Sequence, residues 1–226
     1  YTGCGNGNCG LVNTKGSTAF WRAAYATDIE AMRLLVAYGA DEDLPTMAPE
    51  PRRRRGPGGQ QQRPPGNVGN FFRVGSGADA EASRSSRPEP LDPSGLPPVP
   101  LGGPGVFPIH AASGVGYGTG FAGNAHRHAP GAWLSVVRYL IEELDADLDA
   151  RDYSGYTALH HAASRGDNEM ILYLVENGAD VTVVSRRGQT TADMANGPVS
   201  RISPFPDTVA LLERLGSKNN HNCVSC

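Results

Sequence analysis

Four cysteines and six histidines carry most of the reactive chemistry this chain could offer. The cysteines form two pairs, Cys4-x4-Cys9 near the start and Cys223-x2-Cys226 at the end, with His221 beside the second. Four paired thiolates can hold a zinc ion. An even cysteine count fits disulfides as well, with three ways of joining four cysteines. Gly5 and Gly7 give the first loop the freedom for a local Cys4–Cys9 bridge. Free thiols are the third reading. Disulfides would place the chain in an oxidising setting, periplasmic or extracellular. His126 and His128 alternate within Gly114 to Pro130, a glycine-rich stretch that also holds Tyr117 and Phe121. Alternating imidazoles can bind a metal or make a pH-sensitive contact. The plainer reading is a packed surface loop. That loop has no Gly-Lys-Ser/Thr and no strand leading in, so it is not a phosphate cradle. No Ser or Cys nucleophile sits beside a plausible His, and no cofactor fingerprint appears. The expectation is therefore a non-enzyme without a cofactor, a metal at the Cys or His pairs being the exception.

Bulk properties narrow the partners. The formal charge of −3 gives no general pull toward nucleic acid or a membrane surface. No apolar run approaches the roughly 18 residues of a spanning helix, and no signal sequence is evident. The chain starts at Tyr1 rather than Met, which reads as processing or as a fragment of a longer protein. Residues 45–104 differ from the rest: 13 of the 18 prolines and 10 glycines fall there, with Arg52-Arg53-Arg54-Arg55 and Gln60-Gln61-Gln62. Such a composition buries too little apolar surface to offset its ordering entropy. An irregular or extended insertion is expected. Without interleaved aromatics, the arginine run does not argue for nucleic acid.

The elements that position everything else are helical. Ile29 to Tyr38 places apolar residues at 29, 32, 35 and 36, one helical face. Met170 to Val175, Trp133 to Leu144 and Thr208 to Leu215 behave alike. Gly39 and Gly178 stand where a left-handed C-cap is wanted. These pieces recur at a fixed step. Gly155-Tyr156-Thr157-Ala158-Leu159-His160 precedes Gly178-Ala179-Asp180, and Gly16-Ser17-Thr18-Ala19-Phe20-Trp21 precedes Gly39-Ala40-Asp41 at the same spacing. A step of 33 from Gly155 and Thr157 reaches Gly188 and Thr190. A period of this size signals stacked repeats.

Gly-x-Thr-Ala-Leu-His-x-Ala-Ala, a helix, then Gly-Ala-Asp at a 33-residue period resembles the ankyrin repeat family. The resemblance implies an all-α helix-turn-helix solenoid of about four repeats with one long Pro/Gly-rich insertion. It divides the chain into an N-terminal Cys segment (1–12), repeat one (13–44), the insertion (45–104) and repeat two (105–150, with an inter-helix loop at 114–130). Repeat three (151–184), a degenerate capping repeat four (185–216) and a Cys-containing tail (217–226) complete it. Repeat one carries Phe20-Trp21 where the family has Leu-His. Thr157, Leu159, His160 and Ala163 read as fold residues.

The resemblance also implies non-catalytic protein binding through the turn tips and the exposed side of the first helices. Those positions are Thr14, Lys15, Arg151, Asp152, Tyr153, Ser185, Arg186 and Arg187, with Arg22, His161 and Arg165 expected to point outward. A rival reading is a structural subunit, or a head-to-tail polymer joined through the terminal Cys pairs. Another is a metal- or redox-responsive binding protein. The expected partner is a protein or a second copy of the chain, with no nucleic acid, membrane insertion or small-molecule substrate.

Overall fold

The computed structural model describes residues 12–50, 92–117, 131–198 and 203–226. Cys4, Cys9, His126, His128 and the span 51–91 lie outside the described residues. Eight helices and no sheet occur among the described residues, with a single isolated bridge between Met47 and Pro104. They follow one another as α1 (Ala19–Ala26), α2 (Ile29–Ala37), α3 (Pro108–Ala112), α4 (Ala132–Glu142), α5 (Ala158–Ala163), α6 (Asn168–Glu176), α7 (Thr191–Ala195) and α8 (Pro206–Arg214). None is long and apolar enough to cross a membrane.

The helices stack as antiparallel pairs. α1, α3, α5 and α7 form one row, each touching the next, and α2, α4 and α6 form a second row. Helices of five to eleven residues are marginal alone in water. Packing holds them: Ala24, Ala111, Ala112, Ala162, Ala163, Ala192 and Ala195 are completely buried, and their small side chains let neighbouring backbones approach. Each start is fixed locally. Thr18 Oγ1 accepts from Trp21 N at 3.0 Å, and Thr190 Oγ1 accepts from Asp193 N at 3.1 Å while the Asp193 carboxylate accepts from Thr190 N. These are N-caps of the expected kind. At the end of the second helices Gly39 and Gly178 adopt positive φ. The loop after α4 has no glycine at that place, and Asp145 takes the left-handed conformation itself, at φ 54°.

The outer row is tied by cation–aromatic contacts. Arg33 lies over the Tyr139 ring at 5.2 Å and Arg138 over Tyr173 at 4.9 Å, each reaching to the next pair. Between pairs two and three, Arg165 stacks on Trp133 at 3.9 Å and pairs with Asp167 at 2.5 Å.

The inner row is joined through ring nitrogens. In the first pair Trp21 occupies the place His160 holds in the third. The Trp21 indole N–H donates to the Val106 carbonyl at 2.8 Å, as the His160 ring does to the Gln189 carbonyl at 3.4 Å. The Val106 carbonyl also accepts from Thr46 N. Trp21→Phe removes one of its two donors and part of a fully buried ring. The expected loss is about 2 kcal/mol, from a hydrogen bond and a small cavity, whereas exposed Arg22→Ala should stay within about 0.5 kcal/mol. Urea midpoints of the two variants check this; equal midpoints would contradict the role given to Trp21.

Candidate protein-binding surface

The turns that lead into the first helices share one construction. A short polar residue opens each tip, and its side-chain oxygen accepts backbone N–H groups from further along the same turn. Asn13 Oδ1 accepts from Lys15 N at 3.1 Å. Asp152 Oδ1 accepts from Ser154 N and Tyr156 N at 2.8 and 2.9 Å. Ser185 Oγ accepts from Gln189 N at 3.1 Å. Thr46 Oγ1 accepts from Val106 N at 3.0 Å, although 60 positions separate the two. In three of the four the backbone answers, with Asp152 N, Ser185 N and Thr46 N donating to the carbonyls of Tyr156, Gln189 and Val106. Each side chain thereby stands in for an Asx- or ST-turn acceptor.

This construction decides which expected surface residues are available. Lys15 is exposed and loosely paired with Glu50 at 3.6 Å; Arg22, Tyr153 and Arg187 are exposed, and Thr14 is half-buried. Asp152 and Ser185 are buried because they close tips from inside. Arg151 spans two tips, donating to the Gly155 carbonyl at 2.8 Å and to the Val184 carbonyl. His161 and Arg165 do not point outward. His161 is 5% exposed and its Nε2 meets Asp152 Oδ2 at 3.2 Å, while Arg165 is drawn onto Trp133. A six-residue helix packed between α3 and α7 leaves little outward face, which reading α5 by itself does not reveal. Arg186 is turned onto another segment of its own chain: it donates to Asp92 Oδ2 at 2.5 Å and to the carbonyls of Leu96 and Pro97 at 3.3 and 2.5 Å.

Behind the tips lies a buried imidazole cluster. The rings of His110 and His161 are 5.6 Å apart, and Tyr156 lies against both His160 and His161. His110 Nδ1 accepts from Phe107 N at 3.2 Å and its Nε2 reaches the Ala150 carbonyl at 2.9 Å. His160 Nδ1 takes bonds from Thr157, and Nε2 faces the Gln189 carbonyl. One nitrogen accepts and the other donates, the pattern of a neutral ring. Burial pushes His110 down to about 4 and His160 down to about 3. Burial opposes ionisation of Asp152, but hydrogen bonds from His161 and the Tyr156 N–H outweigh it and hold that carboxyl below its ordinary value.

Two further features bear on chemistry. Cys223 and Cys226 are bonded to each other, so this pair offers neither thiolates for a metal nor a free link to another chain. No group of three or more metal-ligating side chains is assembled among the described residues. A hollow of about 530 Å³ lies between pairs one and two, with Phe107, Ile109 and Leu140 on its walls and Glu42, Asp43, Asp145, Asp147 and Asp149 around it. Burial, then the charges of Glu42, Asp41 and Asp147, raise the Asp43 carboxyl above its ordinary value.

The last 10 residues were legible only as a tail with two cysteines, yet they pack onto pair four. Asp193, completely buried, accepts from Asn220 N and Asn222 N at 2.7 and 3.3 Å. Gln189 Nε2 donates to the Asn222 carbonyl at 3.0 Å, and Thr190 Oγ1 to the Lys218 carbonyl at 2.5 Å. Tyr156 bonds Gln189 and Gln189 bonds Asn222, each 33 positions on. That step was the available signal for the tail.

Comparison with known proteins agrees with this geometry. Residues 139–195 match the family described as ankyrin repeats (many copies). The chain is 34% identical over 95 residues to protein phosphatase 1 regulatory subunit 12A of Rattus norvegicus, covering 42% of this chain and 8% of that protein. It is 39% identical over 56 residues to BCL-6 corepressor-like protein 1 of Mus musculus, 25% of this chain and 3% of that one. It is also 39% identical over 62 residues to ankyrin repeat and SAM domain-containing protein 6 of Mus musculus, 27% of this chain and 7% of that one. The chain thus spans less than a tenth of the length of these relatives, and its residues 139–195 are the part that matches ankyrin repeats.

The histidine cluster sets a pH dependence. His110 and His160 titrate lower in the folded chain than the roughly 6.5 of an unfolded one. The unfolded state therefore takes up protons first on acidification. Stability is complete above about pH 6.5 and falls as pH drops toward the two folded values, by about 1.4 kcal/mol per pH unit for each ring. Between pH 7 and pH 5 the expected loss is on the order of 4 kcal/mol. Chemical denaturation at both values measures it, and an unchanged midpoint would show that these rings titrate alike in the folded and unfolded chain.

Proposed function

We propose that this ankyrin-repeat chain is a non-catalytic protein-interaction scaffold that recognises its partner with the turn tips. The observation that carries the reading is the contrast within each tip. Asp152 and Ser185 open their tips buried and spent on closing the turn, whereas Tyr153 and Arg187, one and two positions on, face solvent, as Lys15 does in the first tip. Three or more tips built alike on one stacked frame present a rigid row of side chains. Little conformational entropy is then lost on binding. In this reading the repeats run over 13–44, 105–150, 151–184 and 185–216, with 45–104 as an irregular Pro/Gly-rich insertion in the second tip. Thr14, Lys15, Arg22, Tyr153 and Arg187 are the contact residues. Arg151, Asp152, His161, Arg165 and Ser185 hold the surface in shape from behind.

Tyrosine and arginine are the residue types that dominate interface energetics. Tyr153→Ala combined with Arg187→Ala should lower the recovery of proteins captured on the immobilised chain at least tenfold, with helical content and melting temperature unchanged. Undiminished capture by the folded double variant would refute the tip surface as the recognition site.

A further inference from the structure

Residues 92–97 lie along the tips of pairs three and four. The segment from 92 to 104 is irregular and extended, with prolines at 93, 97, 98, 100 and 104. It opens with a tight turn in which Asp92 Oδ1 accepts from Ser94 N and Ser94 Oγ at 2.9 and 2.5 Å. The other carboxylate oxygen, Oδ2, accepts from Arg186, whose guanidinium also spans the Leu96 and Pro97 carbonyls. Two tip glycines receive the segment. A methyl group added at Gly188 would lie 3.3 Å from the Pro93 ring. At Gly155 it would meet Arg186 N at 3.0 Å and the Leu96 side chain at 3.4 Å. Both glycines have positive φ, so the tight turns and the room for the segment come from the same residues. One arginine reads an acid and two carbonyls in a row, and two glycines accommodate a proline and a leucine. That is recognition of an extended peptide, made in cis.

We propose that the tips of pairs three and four form a binding site for an extended Asp-Pro-x-x-Leu-Pro segment, which the chain fills with its own residues 92–97 and which a partner bearing the same spacing can displace. This rests on the reading of the tips as the recognition surface, and it names the peptide class that part of the surface takes. The prolines restrict the free segment, so little ordering entropy opposes docking. Tethering sets the competition. A segment linked in cis faces its site at an effective concentration on the order of millimolar. A peptide that merely repeats the same contacts must approach that concentration to displace it, and a partner succeeds by adding contacts to Tyr153 or Arg187.

The probe is a labelled synthetic peptide spanning Asp92 to Leu101, followed by fluorescence anisotropy. The full chain carrying Asp92→Ala and Leu96→Ala should bind it at least tenfold more tightly than the unaltered chain does, and adding Arg186→Ala should remove that binding. A peptide with alanine in place of its aspartate should bind at least tenfold more weakly. Equal affinity for the altered and unaltered chains, or binding indifferent to Arg186→Ala, overturns the proposal. Should the double variant fail to fold, isotope-labelled unaltered chain is titrated to millimolar peptide. Saturable shifts of the Gly155 and Gly188 amides, absent in Arg186→Ala, then support the site, and unshifted amides refute it. Peptide failure with partner capture still dependent on Tyr153 and Arg187 sinks the self-ligand alone. Capture indifferent to those two residues sinks the tip reading itself.

Discussion

A buried turn must satisfy its own backbone, and that constraint organises this molecule. The tips sit against neighbouring tips, where an unpaired N–H or carbonyl would cost on the order of 1–3 kcal/mol. One polar residue at the start of each turn meets the demand: Thr46, Asp152 and Ser185 bond in both directions to Val106, Tyr156 and Gln189. The carbonyls of Val106 and Gln189 have room for a second donor, and the preceding helical pair supplies it from Trp21 or His160. Stacking and turn closure are therefore one network. A tip displaced from its place would leave ring N–H groups of the pair before it unpaired, so the 33-residue register is held by hydrogen bonding as well as by packing.

The same network explains why the chain can be interrupted. Between Thr46 and Val106 the sequence runs 60 positions instead of 4, yet the bonds that close the turn are unchanged. Lengthening a closed loop by that factor costs only roughly 2–3 kcal/mol, because closure entropy grows with the logarithm of length. The two reciprocal bonds and the Met47–Pro104 bridge offset a cost of that size. A comparable interruption inside α5 would have no such closure, since its six residues are buried on all sides. Long extra sequence is thus tolerated at a tip.

Much of the frame could be read from residues alone, since its signals are local. Glycine, threonine and the apolar helical faces place α2, α4, α6 and α8 within a residue or two of where they lie. Trp21 was visible as a departure from the family's histidine, and the structure shows why it is tolerated: an indole N–H meets the same carbonyl. The failures lie where a distant segment decides. His161 and Arg165 look outward on an isolated helix, but His161 is held by Asp152 of the turn before α5 and Arg165 by Trp133 of the preceding pair. Arg186 looks like a solvated charge until Asp92, 94 positions away, is brought to it. The tail reads as a cysteine motif, whereas in the folded chain it also gives Asp193 and Gln189 their partners.

Those failures have a common cause that bears on recognition. A repeat tip has a fixed number of backbone and side-chain groups, and each is either spent on closure and stacking or left for a partner. Asp152 and Ser185 are spent within the turn. Arg151 is spent between turns, where two neighbouring carbonyls hold it and burial draws its pKa below the ordinary value. Arg186 is spent on a segment of the same chain, but on a contact that peptide chemistry from elsewhere can reproduce. Tyr153 and Arg187 are not spent in this way, and they flank Arg186 in the row of tips. The division follows from how many bonds each turn needs to stay closed. It explains why adjacent residues of similar polarity, Asp152 and Tyr153 or Arg186 and Arg187, serve opposite ends: one of each pair builds the surface, and the other is what the surface displays.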